Sequence, residues 1–401
     1  MDIRNDEKVQ EFFLERDISK QTEISYLRYL KYYIKTAGDD LTPTELIKEA
    51  KTEAKQGIDE DERKIKKRFQ RFKKWLKTQE MTDRTQKTIL SSIKTFYKNL
   101  GVKWIPDITI KQKRQKQIKI KHLSNQDEIQ KALHESSIKY QAIILLAASS
   151  GLHKGDIRHL KLSEFIESFN DQAGTHFNGI TDIDYLVKIG DGKEIILKWE
   201  KERYKNDIEY MTFSSPEATR AICEYLRKDP PRDGDDYLFR VKGTIINPNS
   251  FNIYFEDLNE RLVLGEYANH RIKKYKRINI KNLRARFGSL IMEAELGYRQ
   301  IEYMMGHVLP PVQGAYFKLP GETVMRRAYM KALPRLMIFE PLETRVITED
   351  KLREITVRED EREHEHQAML ERERERERRM SDMERVIENL KRNQTLKRDQ
   401  R

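Results

Sequence analysis

The sequence predicts a mainly α-helical protein of the α+β class, with one small antiparallel sheet in its second half. Three observations predict it. Apolar residues recur at helical spacing over most of the first hundred residues and again after residue 280, as in Ile65, Phe69, Phe72 and Leu76 or Phe287, Leu290, Ile291 and Ala294. Alternation is confined to residues 183–213, in Tyr185, Val187 and Ile189, then Ile195 and Leu197, then Ile208 to Phe213. With the turn Gly190-Asp191-Gly192 these read as about three short strands. Finally, residues 350–401 are more than half charged, so part of the chain lies outside any core.

At 401 residues the chain has room for two domains and an extension. Its formal net charge of +12 favours a polyanionic partner, either nucleic acid or an anionic membrane surface. No uninterrupted apolar run is long enough to span a bilayer, and the N-terminus, MDIRNDEKVQEF, is charged from the start. Nucleic acid is therefore the expected partner, with no membrane and a cytoplasmic setting. The single cysteine, Cys223, excludes an internal disulfide and a cysteine metal site, and its context AICEYL places it on a buried helix face. No His/Asp/Glu cluster has metal-ligand spacing, since His364 and His366 sit in the charged tail. No cofactor is expected.

Residues 1–105 read as a helical domain. Phe12, Phe13 and Leu14 open it, and Ile24, Leu27, Leu30 and Ile34 keep helical spacing among tyrosines. In residues 62–77 an apolar stripe faces inward and Lys and Arg fill the other side. Thr82 or Asp83 caps the next helix, with Ile89, Ile93, Phe96 and Leu100 inside and Gly101 at its end. Aromatic residues interleave with the cations, which suits a phosphate-tracking surface; a solvated helix side is the alternative. Residues 106–121 form a basic linker carrying Lys111, Lys113, Arg114, Lys116, Lys119 and Lys121.

Residues 122–340 form the second domain. Ser124, with Asp127 and Glu128, starts a helix. Residues 139–150, KYQAIILLAASS, are apolar and small throughout and form its buried centre, broken by Gly151. A new helix starts near Lys154 and runs through Asp156, Ile157, Leu160 and Leu162. After the strands, in which residues 200–207 read as a charged loop, Pro216-Glu217 opens another helix, and Asn249 or Ser250 a further one. In residues 341–401, Met380, Met383, Ile387 and Leu390 keep coiled-coil spacing for about two heptads. A solvated helix and a self-association helix both fit.

Residues 278–319 carry the chemistry. Lys281, Leu283 and Arg284 form a K-x-L-R frame, Gly306-His307 follows, and Tyr316 comes nine residues after His307. Gly297 reads as the stop between two helices. One cation, one imidazole and one phenol on successive elements suit phosphoryl transfer: the phenol attacks while the cation and imidazole hold the developing charge.

The order of these pieces resembles the tyrosine recombinases (the phage-integrase family), archaeal members above all, over residues 5–340. The helical N-terminal region resembles their core-binding domain. LLAASSGLHKGDIRHLKLSEF (145–165) resembles the family's first box and RYKNDIEYMTFSSPEA (203–218) its lysine-bearing β-turn. KNLRARF (281–287) resembles the x-x-R box, and MGHVLPPVQGAYFKL (305–319) the G-H-to-tyrosine box. The resemblance implies site-specific cleavage and rejoining of double-stranded DNA by a homo-tetramer through a 3′-phosphotyrosine, without metal or ATP. Integration or excision of a mobile element and resolution of chromosome dimers are the contexts it implies. Carried over, Tyr316 is the nucleophile, Arg284 and His307 hold the phosphate, Lys281 takes the place of the more usual histidine, and Lys205 is the general acid, with Lys201 as the fallback. The family's first box reads G-L-R, whereas His153 stands at the arginine's place here. Arg158 or Lys154 reaching the phosphate, a protonated His153, and a homologue that binds DNA as an accessory or architectural protein are the three readings. Compensation by Arg158 is the preferred one.

Overall fold

Helices open where a side chain satisfies the free amides of the first turn, and the chain uses this device repeatedly. The computed structural model describes residues 3–37, 39–111, 123–177, 188, 194–203, 208–231, 236–264, 267–268, 274–307 and 321–339. The fold is mainly helical with small antiparallel strand pairs. It divides into two compact units, one within residues 1–118 and 266–275, the other within 119–265 and 276–401.

The first unit holds α1 (Glu7–Arg16), α2 (Lys20–Ala37), α3 (Pro43–Lys55), α4 (Lys64–Thr78) and α5 (Asp83–Asn99). Asp6 caps α1 and Thr82 caps α5. Thr42 caps α3 in a full capping box with Glu45, and Pro43 sits in the first turn. The seam read from the sequence is the core of α4: Ile65, Phe69, Phe72 and Leu76 are all buried. Each contributes on the order of 1.5–3 kcal/mol by leaving water. In α2 the buried side is Tyr26, Leu30, Tyr33 and Ala37, whereas Ile24 is 50 % exposed. The tyrosines win because their rings bury more area and Tyr33 finds a polar partner inside, the Tyr97 hydroxyl at 3.2 Å. Arg68 is buried on the inward side of α4 and paired with Glu49 and Asp39. The short antiparallel strands β5 (Tyr267–Ala268) and β6 (Lys274–Tyr275) cluster with this unit.

The second unit is built on α7 (Ile138–Ser150), which is buried from Ala142 to Ser150. α6 (Gln126–His134) precedes it, capped by Asn125 rather than Ser124. The helix expected from Lys154 to Leu162 is two helices, α8 (Lys154–His159) and α9 (Leu162–Ala173). The break has a long-range cause. Leu160 O accepts from Leu238 N at 2.7 Å and Leu162 N donates to Asp236 O at 2.9 Å, so strand-like pairing replaces the helix there. β1 (Leu197–Arg203) and β2 (Ile208–Ser214) form an antiparallel hairpin in which Lys201 lies opposite Tyr210. Residues 200–203, read as loop, are therefore strand. The strand expected at Tyr185, Val187 and Ile189 lies outside the described residues.

α10 (Pro216–Lys228) starts at Pro216 as expected, and Cys223 is buried in it. β3 (Arg240–Val241), β4 (Thr244–Ile245) and α11 (Pro248–Arg261) follow, then α12 (Ile280–Glu293), α13 (Tyr298–Met304) and α14 (Glu322–Leu336). Gly297 opens α13 rather than closing α12. The stop is one turn earlier, where Ala294 ends α12 and Glu295 takes a φ of 59°. No described helix is long and apolar enough to cross a membrane. Most of the basic linker and all of the 341–401 tail lie outside the described residues.

Candidate active site

The C-terminus of α7 is where the site is assembled. A helix end leaves carbonyls without partners, and here three consecutive ones receive side chains from three elements. Ser149 O accepts from the Tyr329 hydroxyl of α14 at 2.9 Å, and Ser150 O from Thr212 of β2 at 2.7 Å. Gly151 O accepts from Nη1 of Arg284 on α12. Gly151 has a φ of 65°, and a Cβ there would lie 2.2 Å from the Phe287 ring, so no other residue fits.

Arg284 does the same at a second turn: its Nη2 donates to Met305 O. One buried guanidinium thus ties the turn two residues before His153 to the turn two residues before His307. Gly306 takes a φ of 57°, and its Cβ would meet the Tyr210 ring at 2.8 Å. The Tyr210 hydroxyl donates to Asp156 Oδ2 at 2.6 Å, which closes the ring of contacts from the second turn back to α8.

His153 is exposed and caps α8: its Nδ1 accepts from Gly155 N at 3.0 Å, and its own N–H donates to Asp156 at 3.3 Å. In that arrangement the ring is neutral and Nε2 carries the proton, a tautomer assigned from the hydrogen bond. His307 has Nδ1 3.1 Å from Glu302 Oε2, and its side chain is 40 % exposed. Lys281 lies one turn before Arg284, exposed. Lys201 is 12 % exposed on β1 and ion-paired to Glu164 of α9.

Lys154 and Arg158 leave α8 elsewhere. Arg158 Nε donates to Ile246 O, and Lys154 Nζ lies 3.3 Å from Asn252 Oδ1 and 3.4 Å from Pro248 O. Burial pulls the Lys154 ammonium below its usual range, and Arg158 adds to the pull. Arg158 is likewise lowered by burial, against an opposing contribution from Tyr237. Two residues on a helix differ by about 200°, so Arg158 and Asp156 project to opposite sides. Tyr316 and Lys205 lie outside the described residues. Among the described residues no group of three or more His, Cys, Asp or Glu is placed to hold a metal.

The motif reading missed Tyr210, Asp156 and Glu302, which hold the turns and the imidazole. The alternation of β2 placed Tyr210 on a strand, but nothing in the sequence names its partner 54 residues away.

In the first unit, Tyr26, Arg84, Lys87, Thr88, Ser91, Ser92 and Thr95 line an open groove of about 400 Å³ along α5. Arg84 and Lys87 are followed there by the hydroxyls of Thr88, Ser91, Ser92 and Thr95, on a helix side whose opposite side is core.

No protein-family model matches the chain, and no curated protein does. Among solved structures it is similar to a XerA recombinase, at 17 % identity over 81 % of this chain and 96 % of that one, with a TM-score of 0.34. It is similar to an integrase from mycobacterium phage Brujita at 14 % identity, over 86 % and 94 % of the two chains, with a TM-score of 0.35. It is also similar to the Tn1549 transposon integrase in complex with circular intermediate DNA, at 12 % identity over 82 % and 99 %, with a TM-score of 0.38.

Proposed function

We propose that the protein is a tyrosine recombinase that cuts and rejoins duplex DNA through a 3′-phosphotyrosine at Tyr316. The observation that carries the reading is the Arg284 clamp. It brings the first box and the G-H box, more than 150 residues apart, to one guanidinium. These are the motifs whose order resembles the family. In this reading the guanidinium and the Nε2 of His307 hold the non-bridging oxygens of the scissile phosphate while the phenolate attacks phosphorus. The 5′ oxygen leaves with a proton from Lys205, or from Lys201 if the hairpin brings it there. Lys281 stands beside the phosphate. We place His153 rather than Arg158 in the remaining clamp position, because His153 stands beside the turn that Arg284 fastens. The first unit, through the α5 groove and the α4 cations, tracks the backbone. The active assembly is a homo-tetramer on DNA, in a cytoplasmic setting.

The test is a duplex nicked near the cleavage point, so that the released fragment diffuses away. A covalent protein–DNA adduct that disappears in Tyr316→Phe is expected. Tight binding to a cognate site with no adduct would instead establish the second reading, a recombinase homologue that holds DNA without cutting it. His153 in the place of an arginine favours that alternative.

A further inference from the structure

A cavity of about 330 Å³ lies on the side of α12 turned away from the clamp, between α12 and the start of α6. Asn125, Gln126, Arg277, Arg286, Ser289 and Glu293 are among the residues that line it. Arg286 follows Arg284 by two residues, about 200° around the helix, so the cavity is separate from the candidate active site.

Arg286 is the unusual member. It is only 7 % exposed, and its Nη1 is fully buried without a hydrogen-bond partner. A buried donor left unmade is costly, and a buried charge more so. The nearby acids are committed elsewhere or exposed to solvent. Glu128 takes the charge of Arg277, with Nη2 to Oε2 at 2.7 Å. Both oxygens of Glu217 accept backbone amides, from Ile338 at 2.8 Å and Phe339 at 2.9 Å. Glu293 is exposed. Burial accordingly pulls the Arg286 guanidinium down to about 10, against the opposing pull of Glu217 and Glu293. Across the cavity stands the first turn of α6, where the Asn125 side-chain oxygen already serves Glu128 N at 2.8 Å. The side-chain amide nitrogen of Asn125 and the first amides of α6 belong to the same edge.

We propose that this cavity binds a phosphate-class oxyanion, held by Arg286 together with Asn125 and the α6 N-terminus. The anion supplies the acceptors that Arg286 lacks, and the site is roomy enough for a tetrahedral group. Two sources share that chemistry, free phosphate and a DNA backbone phosphate.

The experiment is thermal unfolding of the full chain in inorganic phosphate against chloride at matched ionic strength. The wild-type Tm should rise by about 3–5 °C near ten times the dissociation constant. Arg286→Met should abolish the rise. Asn125→Asp keeps the helix cap but adds a negative charge, and should weaken phosphate at least about tenfold. Glu293→Gln removes an opposing carboxylate and should tighten it about threefold. Absence of a wild-type rise overturns the proposal. So does a rise that survives in Asn125→Asp, which decides the matter should Arg286→Met fail to fold. A Glu293→Gln variant that is destabilised with an unchanged phosphate response overturns it too, because Glu293 is then the partner of Arg286. Saturating duplex separates the sources. Loss of the phosphate response on the DNA complex identifies a backbone phosphate, and an undiminished response identifies the free anion. A chain that binds no DNA still shows the response, so failure of the recombinase reading is distinguishable from failure of this one.

Discussion

Arg68 in the first unit and Arg284 in the second are both buried arginines, 3 % and 8 % exposed. Their partners differ in kind. Arg68 meets carboxylates: Asp39 at 3.1 Å and both oxygens of Glu49. Burial, the largest single influence, works against its charge, but its partners, Glu49 foremost, together outweigh that and raise its pKa. Arg284 donates to two backbone carbonyls, which fix its position. The first arrangement closes a core. The second fastens a cation to two turns of backbone, the fixed placement that a site for an incoming anion requires.

Substitution at Arg284 should break the comparison most visibly. Arg284→Ala removes the bond to each turn and the charge, so the rate of adduct formation on nicked duplex should fall about a thousandfold or more. Arg284→Lys keeps a charge but cannot span two carbonyls, and should recover only a small part of the loss. Adduct formation unchanged in both variants would show that the clamp is structural alone.

Arg68→Met is the counterpart in the first unit. Urea unfolding should show a loss of about 2–3 kcal/mol, below the cost of a fully buried pair because the Glu49 side chain is 21 % exposed. Adduct formation with saturating protein should stay within about twofold of wild type. The pH profile sharpens the contrast. The Asp39 carboxyl is held low first by its bond to Arg71; that of Glu49 is pushed up most by burial, but Arg68, with Lys64, brings it below its usual value. A depressed folded-state pKa gives stability that is present above the unfolded value of about 4 and lost as pH falls through the folded one. The acid limb should therefore flatten in Arg68→Met, chiefly through Glu49, since Asp39 keeps Arg71.

Two glycines make a smaller version of the test. Gly306 and Gly57 both have positive φ, 57° and 68°. A Cβ at Gly306 strikes the Tyr210 ring, whereas at Gly57 nothing lies within 4 Å. Gly57→Ala should cost only the backbone penalty, about 1 kcal/mol. Gly306→Ala should cost about 2 kcal/mol or more and slow adduct formation as well, because the turn carrying His307 must move. Equal costs at the two positions would mean that Tyr210 yields easily.

These contrasts mark what was legible in the sequence. The seam of α4, the apolar α7 and the start of α10 follow from local spacing and caps, and appear where the sequence places them. The break at Leu160 was not legible, because it depends on pairing with Asp236 and Leu238. Nor were the acceptors of Arg284: a carbonyl has no residue type, so no motif announces it. Sequence motifs name the groups that carry charge, and the backbone that aims them is set by tertiary contacts.

The finest distinction concerns His153, where one side chain has a structural duty and a proposed chemical one. Its Nδ1 caps α8, and asparagine is among the best caps. His153→Asn should therefore change stability by less than about 0.5 kcal/mol. If the ring also offers its Nε2 proton to the phosphate, adduct formation should fall about tenfold, the worth of one neutral donor. An Arg158→Met variant should leave adduct formation nearly unchanged, since that guanidinium is spent on Ile246 O. The reverse outcome, with His153→Asn silent and Arg158→Met slow, would move the missing half of the clamp to the other side of α8.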